Sequence, residues 1–416
     1  MLMEGRKMID FYKYITKNGL KVTYISKPDF NKCYAGIGVK YGGCNLEYTV
    51  DGIKYIDKPG LAHFIEHKLF QMPYGDAYIE FSKLNASANA YTAPDKTMYF
   101  FSTINDLYKP LKVLIDMYFT PYFIEEDVEK EKDIIISEIK MSDDVPLAKL
   151  DNKLFKSLYP NDYISIDVAG TIEGVKAITK EDLERAYKYF YTNDNSELVI
   201  VGNVDKDELF KYIEEITVNY TNRSGNVSKA PLVSSLDVLE DFSLELNVEQ
   251  STASVGIRFD LNENTSLFCD FMIGIFDCLF SPLSPFYEEL HNKKAFYADI
   301  DYYVVTYDNV GYAVISSTTK NPNLFLDMVK NKLDNISIED LDNDILDIYL
   351  RHVKSKSILK LDKVSNLGDE ILSLYLENID FFDDLKSLRK IDTNVFENYI
   401  DYIKNSKKIC CFCKKS

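Results

Sequence analysis

Residues 60–70 read Gly60-Leu61-Ala62-His63-Phe64-Ile65-Glu66-His67-Lys68-Leu69-Phe70, and the five at the centre, His63 to His67, decide how the rest of the chain is read. The stretch from Pro59 to Phe70 has helical periodicity. Residues at i and i+4 share one helix face, so both imidazoles can reach one metal ion, with Glu66 close enough to touch a water on it. Only four histidines occur in the chain, and two of them stand here. By composition, a chance H-x-x-E-H is expected in about one such protein in several hundred. A catalytic metal of this kind usually takes three protein ligands and a water, so a third donor is expected farther along. Glu138 is the candidate, 71 positions after His67 in Glu131-Lys132-Asp133-Ile134-Ile135-Ile136-Ser137-Glu138. Glu131 lies seven positions earlier on the same helix face, so one carboxylate can ligate while the other assists behind it.

Outward from the motif, the periodicity gives helix, helix, strand, strand, helix, helix: 59–70, 76–84, 86–92, 97–103, 105–118 and 125–141. Asn105 is expected to cap the fifth element, and acidic residues open the sixth. The second half repeats that order, with helices at 266–280 and 284–294, strands at 295–304 and 310–317, and helices from Asn321 and Ile338. The wording is alike too: Phe101-Ser102-Thr103-Ile104-Asn105 precedes one long helix and Ser317-Thr318-Thr319-Lys320-Asn321 its counterpart. Duplicated α+β units follow, a first domain at 1–218 and a second at 242–416. Residues 219–241, rich in Asn, Ser and Gly and without strand or helix periodicity, are expected to link them. The helix at 266–280 holds no His and no Glu, so the chemistry of the first unit is absent from the second.

The bulk numbers agree with two globular domains: 416 residues, 46% hydrophobic and 27% charged. A net charge of −18 would repel phosphate backbones and anionic lipid and attract a cationic peptide, so no nucleic-acid or membrane partner is expected. The N-terminus mixes Glu4, Arg6, Lys7 and Asp10 with apolar residues, unlike a secretory leader, and no stretch is long enough to span a membrane. Seven cysteines, an odd number, suit reduced thiols and a cytoplasmic setting. The sequons Asn219-Tyr220-Thr221 and Asn264-Thr265-Ser266 then carry no meaning. Cys410-Cys411-Phe412-Cys413 lacks the paired spacing of a structural zinc site and reads as a terminal strand.

H-x-x-E-H followed by a distant E-x(6)-E resembles the M16 metallopeptidases, the family of pitrilysin, insulin-degrading enzyme and mitochondrial processing peptidase. Ala88-Asn89-Ala90-Tyr91-Thr92 is similar to that family's N-A-x-T edge strand, and the residues flanking the motif resemble bacterial half-length members. The resemblance implies an α+β chain of two homologous domains, each an antiparallel-rich sheet packed by helices, forming half of a clamshell chamber. It implies one Zn²⁺ per chain on His63, His67 and Glu138, with Glu66 as base and Glu131 assisting. Ala88, Asn89 and Ala90 would line an exposed edge to which substrate adds as a strand.

One departure stands out: Glu289-Leu290-His291-Asn292-Lys293-Lys294-Ala295-Phe296-Tyr297 has His291 where many relatives carry a substrate-gripping Arg. The resemblance therefore implies a homologous partner chain that completes the site, so that this would be the zinc-bearing subunit of a heterodimer; a homodimer is the other pairing. The activity implied is cleavage of short unfolded peptides, with folded proteins spared. Maturation of leader peptides from ribosomally made precursors is an alternative. A non-catalytic scaffold subunit is another, opposed by the retention of His63, Glu66, His67 and Glu138 together.

Overall fold

The structure, a computed structural model, describes residues 10–220, 226–233, 235, 237–261, 267–307 and 310–415. Outside the described residues lie the first part of the expected leader-free N-terminus, parts of the 219–241 stretch, the sequon at Asn264 and the expected helix start at Ser266.

Two compact units are formed, and they interleave along the chain: 1–139, 166–230 and 359–381 make the first, 140–165, 231–358 and 382–416 the second. Each is a sheet packed by helices, the α+β class expected from the repeat. In the first unit, strands Phe11–Ile15, Lys21–Ser26, Ser196–Gly202, Cys33–Val39, Thr97–Thr103 and Ala86–Thr92 lie in that spatial order. Only the Ser196–Gly202 and Lys21–Ser26 pairing is parallel. In the second unit the order is Phe242–Leu246, Lys407–Lys415, Thr252–Asp260, Val310–Thr318 and Asp301–Tyr307, and again the first pairing alone is parallel. The duplication thus extends to topology, with Ala86–Thr92 and Asp301–Tyr307 as corresponding edge strands.

Each unit borrows a helix from the other repeat. Helix Pro146–Leu158 packs on strands Thr252–Asp260 and Lys407–Lys415. Arg258, fully buried, holds its end by donating to the carbonyls of Leu158, Ser235 and Asp237, with the guanidinium over the Tyr159 ring. Helix Val364–Leu376, from late in the chain, covers one face of the first sheet, its Leu372 and Leu376 filling the space that Gly36 and Gly38 leave bare.

The motif helix, Leu61–Leu69, buries Leu61, Ala62, Phe64, Ile65 and Leu69. It is started by Gly60, not by a side-chain cap. Gly60 has φ 93°, and a Cβ there would lie 2.6 Å from the Ala169 carbonyl oxygen. The edge strand Ala86–Thr92 and its neighbour Thr97–Thr103 have the boundaries the sequence suggests. The cysteine tail is part of strand Lys407–Lys415, and among the described residues, which include all seven cysteines, there is no disulfide.

Four local expectations are corrected. The strand expected from Ala295 begins at Asp301, because Lys294 turns to φ 56° and Ser317 Oγ donates to the carbonyls of Ala298 and Asp299 outside any ladder. Asn105 does not cap the helix Tyr108–Phe119; Asp106 takes the Tyr108 N–H, and Asn105 donates its own N–H to Thr103 Oγ1. The segment at Ile338 is a single 3₁₀ turn with a Ser337/Asp340 capping box, and the long helix runs Asn343–Lys360. Within 219–241, Val227–Lys229 forms a strand paired with Glu47–Val50, since Val and polar neighbours suit an exposed edge as well as a linker. Among the described residues no single helix is long and apolar enough to cross a membrane.

Gly60→Ala should destabilise the first unit by at least about 2 kcal/mol, because it combines left-handed strain with a backbone overlap. Chemical denaturation would show it, and an unchanged midpoint would mean that the helix start is not so constrained.

Candidate metal centre

The amphipathic geometry of the motif helix puts His63, Glu66 and His67 on the rim of the core, half-buried. The second contributor is the helix Glu125–Asp143, whose first turn carries Glu125, Glu126 and Asp127, a favourable charge for a helix N-terminus. It buries Val128, Ile135 and Ile136 and turns Glu131 and Glu138 toward the motif helix.

One donor atom each of His63, His67 and Glu138 falls within 4.8 Å of the others. The two imidazole centroids are 4.6 Å apart. Glu131 Oε1 lies 3.0 Å from His67 Nδ1, and Glu138 Oε2 is 3.6 Å from His67 Nε2. A carboxylate only accepts, so the Glu131 contact puts the proton on Nδ1 and leaves the Nε2 lone pair turned toward Glu138. Glu131 therefore sits behind the metal group. Lys68, buried, approaches Glu131 Oε2 at 3.6 Å and is held by Gln71 and the Asp127 carbonyl.

The ionisation pattern suits a cation. Burial, reinforced by the charge of His67, pushes His63 down to about 4, so it is neutral and able to ligate at physiological pH. Its Nδ1 is buried and has no hydrogen-bond partner among the described residues. For His67 burial is the largest single influence and lowers the pKa, but the Glu131 hydrogen bond and the charges of Glu138, Glu66 and Glu131 outweigh it and raise it. Glu131 is lowered, first by that same hydrogen bond. Glu66 is raised by burial despite the hydrogen bond from Thr92 and the charge of His67. Two neutral or neutralisable imidazoles, an unpartnered buried ring nitrogen and an excess of carboxylates are a donor set that fits a divalent borderline metal such as zinc.

Ala88, Asn89 and Ala90 lie on the outermost strand of the first sheet, as expected. The Ala90 N–H donates to Asn89 Oδ1 at 2.9 Å and so is turned to the free edge. His291 lies exposed on the helix Pro285–Asn292 of the second unit, its ring 6.1 Å from Phe296, and Tyr297 is exposed with the Lys320 ammonium 4.8 Å from its ring.

Two residues were missed in the sequence. Thr92 Oγ1 donates to Glu66 Oε2 at 2.7 Å. Strand alternation could have found it, since Ala88, Ala90 and Thr92 share a face. Lys68 was passed over as a flanking residue, although it is the one cation on the apolar side of the motif helix.

Residues 21–172 match the family model of insulinase (peptidase family M16), and residues 177–352 match that of the peptidase M16 inactive domain. The uncharacterized zinc protease YmfH of Bacillus subtilis is 32% identical over 324 residues, an alignment covering 76% of each protein. The chain belongs to the M16 peptidase family. Among solved structures, an M16-like peptidase from Alicyclobacillus acidocaldarius matches with a TM-score of 0.90 and 25% identity, covering 99% of both chains. The periplasmic protease PqqL of Escherichia coli matches in fold, with a TM-score of 0.76 and 14% identity over 98% of this chain and 48% of PqqL. The inactive-domain match falls on the repeat whose helix Phe268–Phe280 lacks His and Glu.

Replacing Glu131 should weaken zinc binding without removing it. In a chelator competition, Glu131→Leu is expected to lose about 10- to 100-fold in affinity. Glu131→Gln, whose amide oxygen still accepts from Nδ1, should lose less. Equal losses for both would show that the hydrogen bond does not orient His67.

Proposed function

We propose that the chain is a zinc-dependent endopeptidase that hydrolyses short unfolded peptides, acting as the zinc-bearing subunit of a two-chain chamber. The observation that carries this reading is the convergence of the His63, His67 and Glu138 donor atoms within 4.8 Å, one helix turn from a half-buried Glu66. His63, His67 and Glu138 would hold Zn²⁺, which when bound supplies Lewis-acid polarisation of a carbonyl and acidification of water. Glu66 takes a proton from the attacking water as the oxygen bonds to the peptide carbonyl carbon. The same carboxyl then delivers that proton to the amide nitrogen as the C–N bond breaks. Burial raises its pKa toward the operating range, and the Thr92 hydroxyl fixes one oxygen while leaving the other to the water.

Substrate positioning falls to the edge strand. A peptide added as a further antiparallel strand takes the Ala90 N–H from Asn89 Oδ1, trading a local hydrogen bond for an intermolecular one. Main-chain pairing needs extended substrate, which excludes folded proteins and admits many sequences. The correspondence of nearly the whole chain to 48% of PqqL supports the idea that a second chain supplies the other half. That partner would be a homologous chain, or a second copy of this one. Seven cysteines held as thiols support a reducing, cytoplasmic setting.

Metal analysis and cleavage of a quenched unfolded peptide test this, using the chain and Glu66→Gln, each alone and mixed with a candidate homologous partner. One zinc per chain is expected, with Glu66→Gln keeping the metal and losing about 10²- to 10⁴-fold in rate. Chelation should abolish activity and zinc restore it. Tight zinc without cleavage in every pairing would favour a scaffold subunit instead.

A further inference from the structure

Lys68 occupies a place where the helical pattern calls for an apolar residue. It follows His67 directly, on the face of the motif helix that buries Leu61, Phe64 and Ile65, and its own side chain is 2% exposed. A buried ammonium is unfavourable unless it is paired and hydrogen-bonded, and a leucine or methionine would fill the same space without that cost. Its neighbours give the reason for a cation. Gln71, on the short strand Gln71–Met72 that follows the motif helix, accepts from Lys68 Nζ through its Oε1. The Asp127 carbonyl accepts from the same nitrogen at 3.4 Å, and Glu131 Oε2 lies 3.6 Å from it. Asp127 and Glu131 stand four positions apart, so Lys68 grips two successive turns on one face of helix Glu125–Asp143. Gln71 closes the arrangement by donating its amide N–H to Asp127 Oδ2.

Glu131 is thereby held at both oxygens, with Oε1 3.0 Å from His67 Nδ1 and Oε2 facing Lys68. The last torsion of a glutamate is broad, so one hydrogen bond leaves the carboxylate plane free to turn, and a second contact from the far side fixes it. How that plane is set decides how firmly the Nδ1 proton is held, and the hydrogen bond at one imidazole nitrogen decides where the other nitrogen points. We propose that Lys68 is a positioning residue of the metal centre, acting through Glu131: by holding Oε2 it turns Oε1 to His67 Nδ1 and keeps the Nε2 lone pair aimed at the metal position. The Gln71 and Asp127 contacts hold Lys68 itself in place, so that the two helices supplying the metal donors are clamped beside the donors they supply. The inference rests on the metal-site reading above and adds the residue that aligns it.

A double-mutant cycle read by chelator competition for zinc tests this on the full chain. Lys68→Met is expected to lower zinc affinity about three- to tenfold, a smaller loss than Glu131→Leu causes. In the Glu131→Leu background the same substitution should change affinity by less than about twofold, because the group through which Lys68 acts is gone. Nitrogen NMR of histidine-labelled, metal-free protein supplies a signature that packing alone does not move. The chain has four histidines, and the His67 signals are identified by their absence from His67→Gln. At a pH where the ring is neutral, its proton is expected on Nδ1 in the wild type and distributed over both nitrogens in Lys68→Met. Should Lys68→Met fail to fold, Gln71→Leu, which strips Lys68 of its Oε1 acceptor, takes its place, with a smaller loss that also disappears without Glu131. An unchanged affinity, an equal loss in both backgrounds, or a His67 tautomer that the substitution leaves unaltered would overturn the proposal. A wild-type chain that binds no zinc would instead reject the metal reading, and the histidine spectra would then decide the role of Lys68 by themselves.

Discussion

The site depends on one angular constraint: a nine-residue helix that must bury one face while showing the other. With Leu61, Phe64, Ile65 and Leu69 anchored in the core, positions 63, 66 and 67 are forced to its rim. Half-burial there has two consequences that pull together. It removes enough water to depress the basicity of His63 and raise that of Glu66. It also leaves the three side chains open to solvent on one side. A fully buried motif would be inaccessible, and a fully exposed one would leave Glu66 an ordinary acid. Gly60 sets where the helix begins, and therefore which residues reach the rim.

The seven-residue spacing of Glu131 and Glu138 does for the second helix what the i, i+4 spacing does for the first. Both carboxylates come to the same imidazole, one at each nitrogen. Division of labour follows from burial. Glu131, 18% exposed and hydrogen-bonded, is locked in place, whereas Glu138, 44% exposed, has the freedom to adjust to an ion. Lys68 offsets the negative charge gathered there from beneath, without competing for the site itself.

Much of this was legible in the sequence because it is local and periodic. The motif helix, the edge strand, its neighbour and both carboxylates follow from spacing alone, and the duplication follows from comparing two windows of the same chain. What was not legible is what arises from distant pairing. Nothing local says that Val364–Leu376 belongs on the first sheet, since its partners are Gly36 and Gly38, more than 300 positions away. The same holds for helix Pro146–Leu158 and Arg258. The missed strand Val227–Lys229 is three residues long and gains its order from Glu47–Val50, not from its own sequence. Asn105 and Asp106 are equally good caps by type, and only the local backbone chose between them.

A sheet edge is a liability that most folds hide, because its unpaired N–H and C=O groups accept any extended chain. Both repeats keep an edge in the corresponding place, Ala86–Thr92 and Asp301–Tyr307, but only the first lies beside a motif helix with metal-binding residues. Backbone pairing at that edge is indifferent to sequence, so any discrimination must come from the faces on either side of it. One face meets the motif helix and its candidate metal group. The other is covered by a helix borrowed from the second repeat. Duplication followed by exchange of helices thus covers the two faces of one sheet with helices from different repeats.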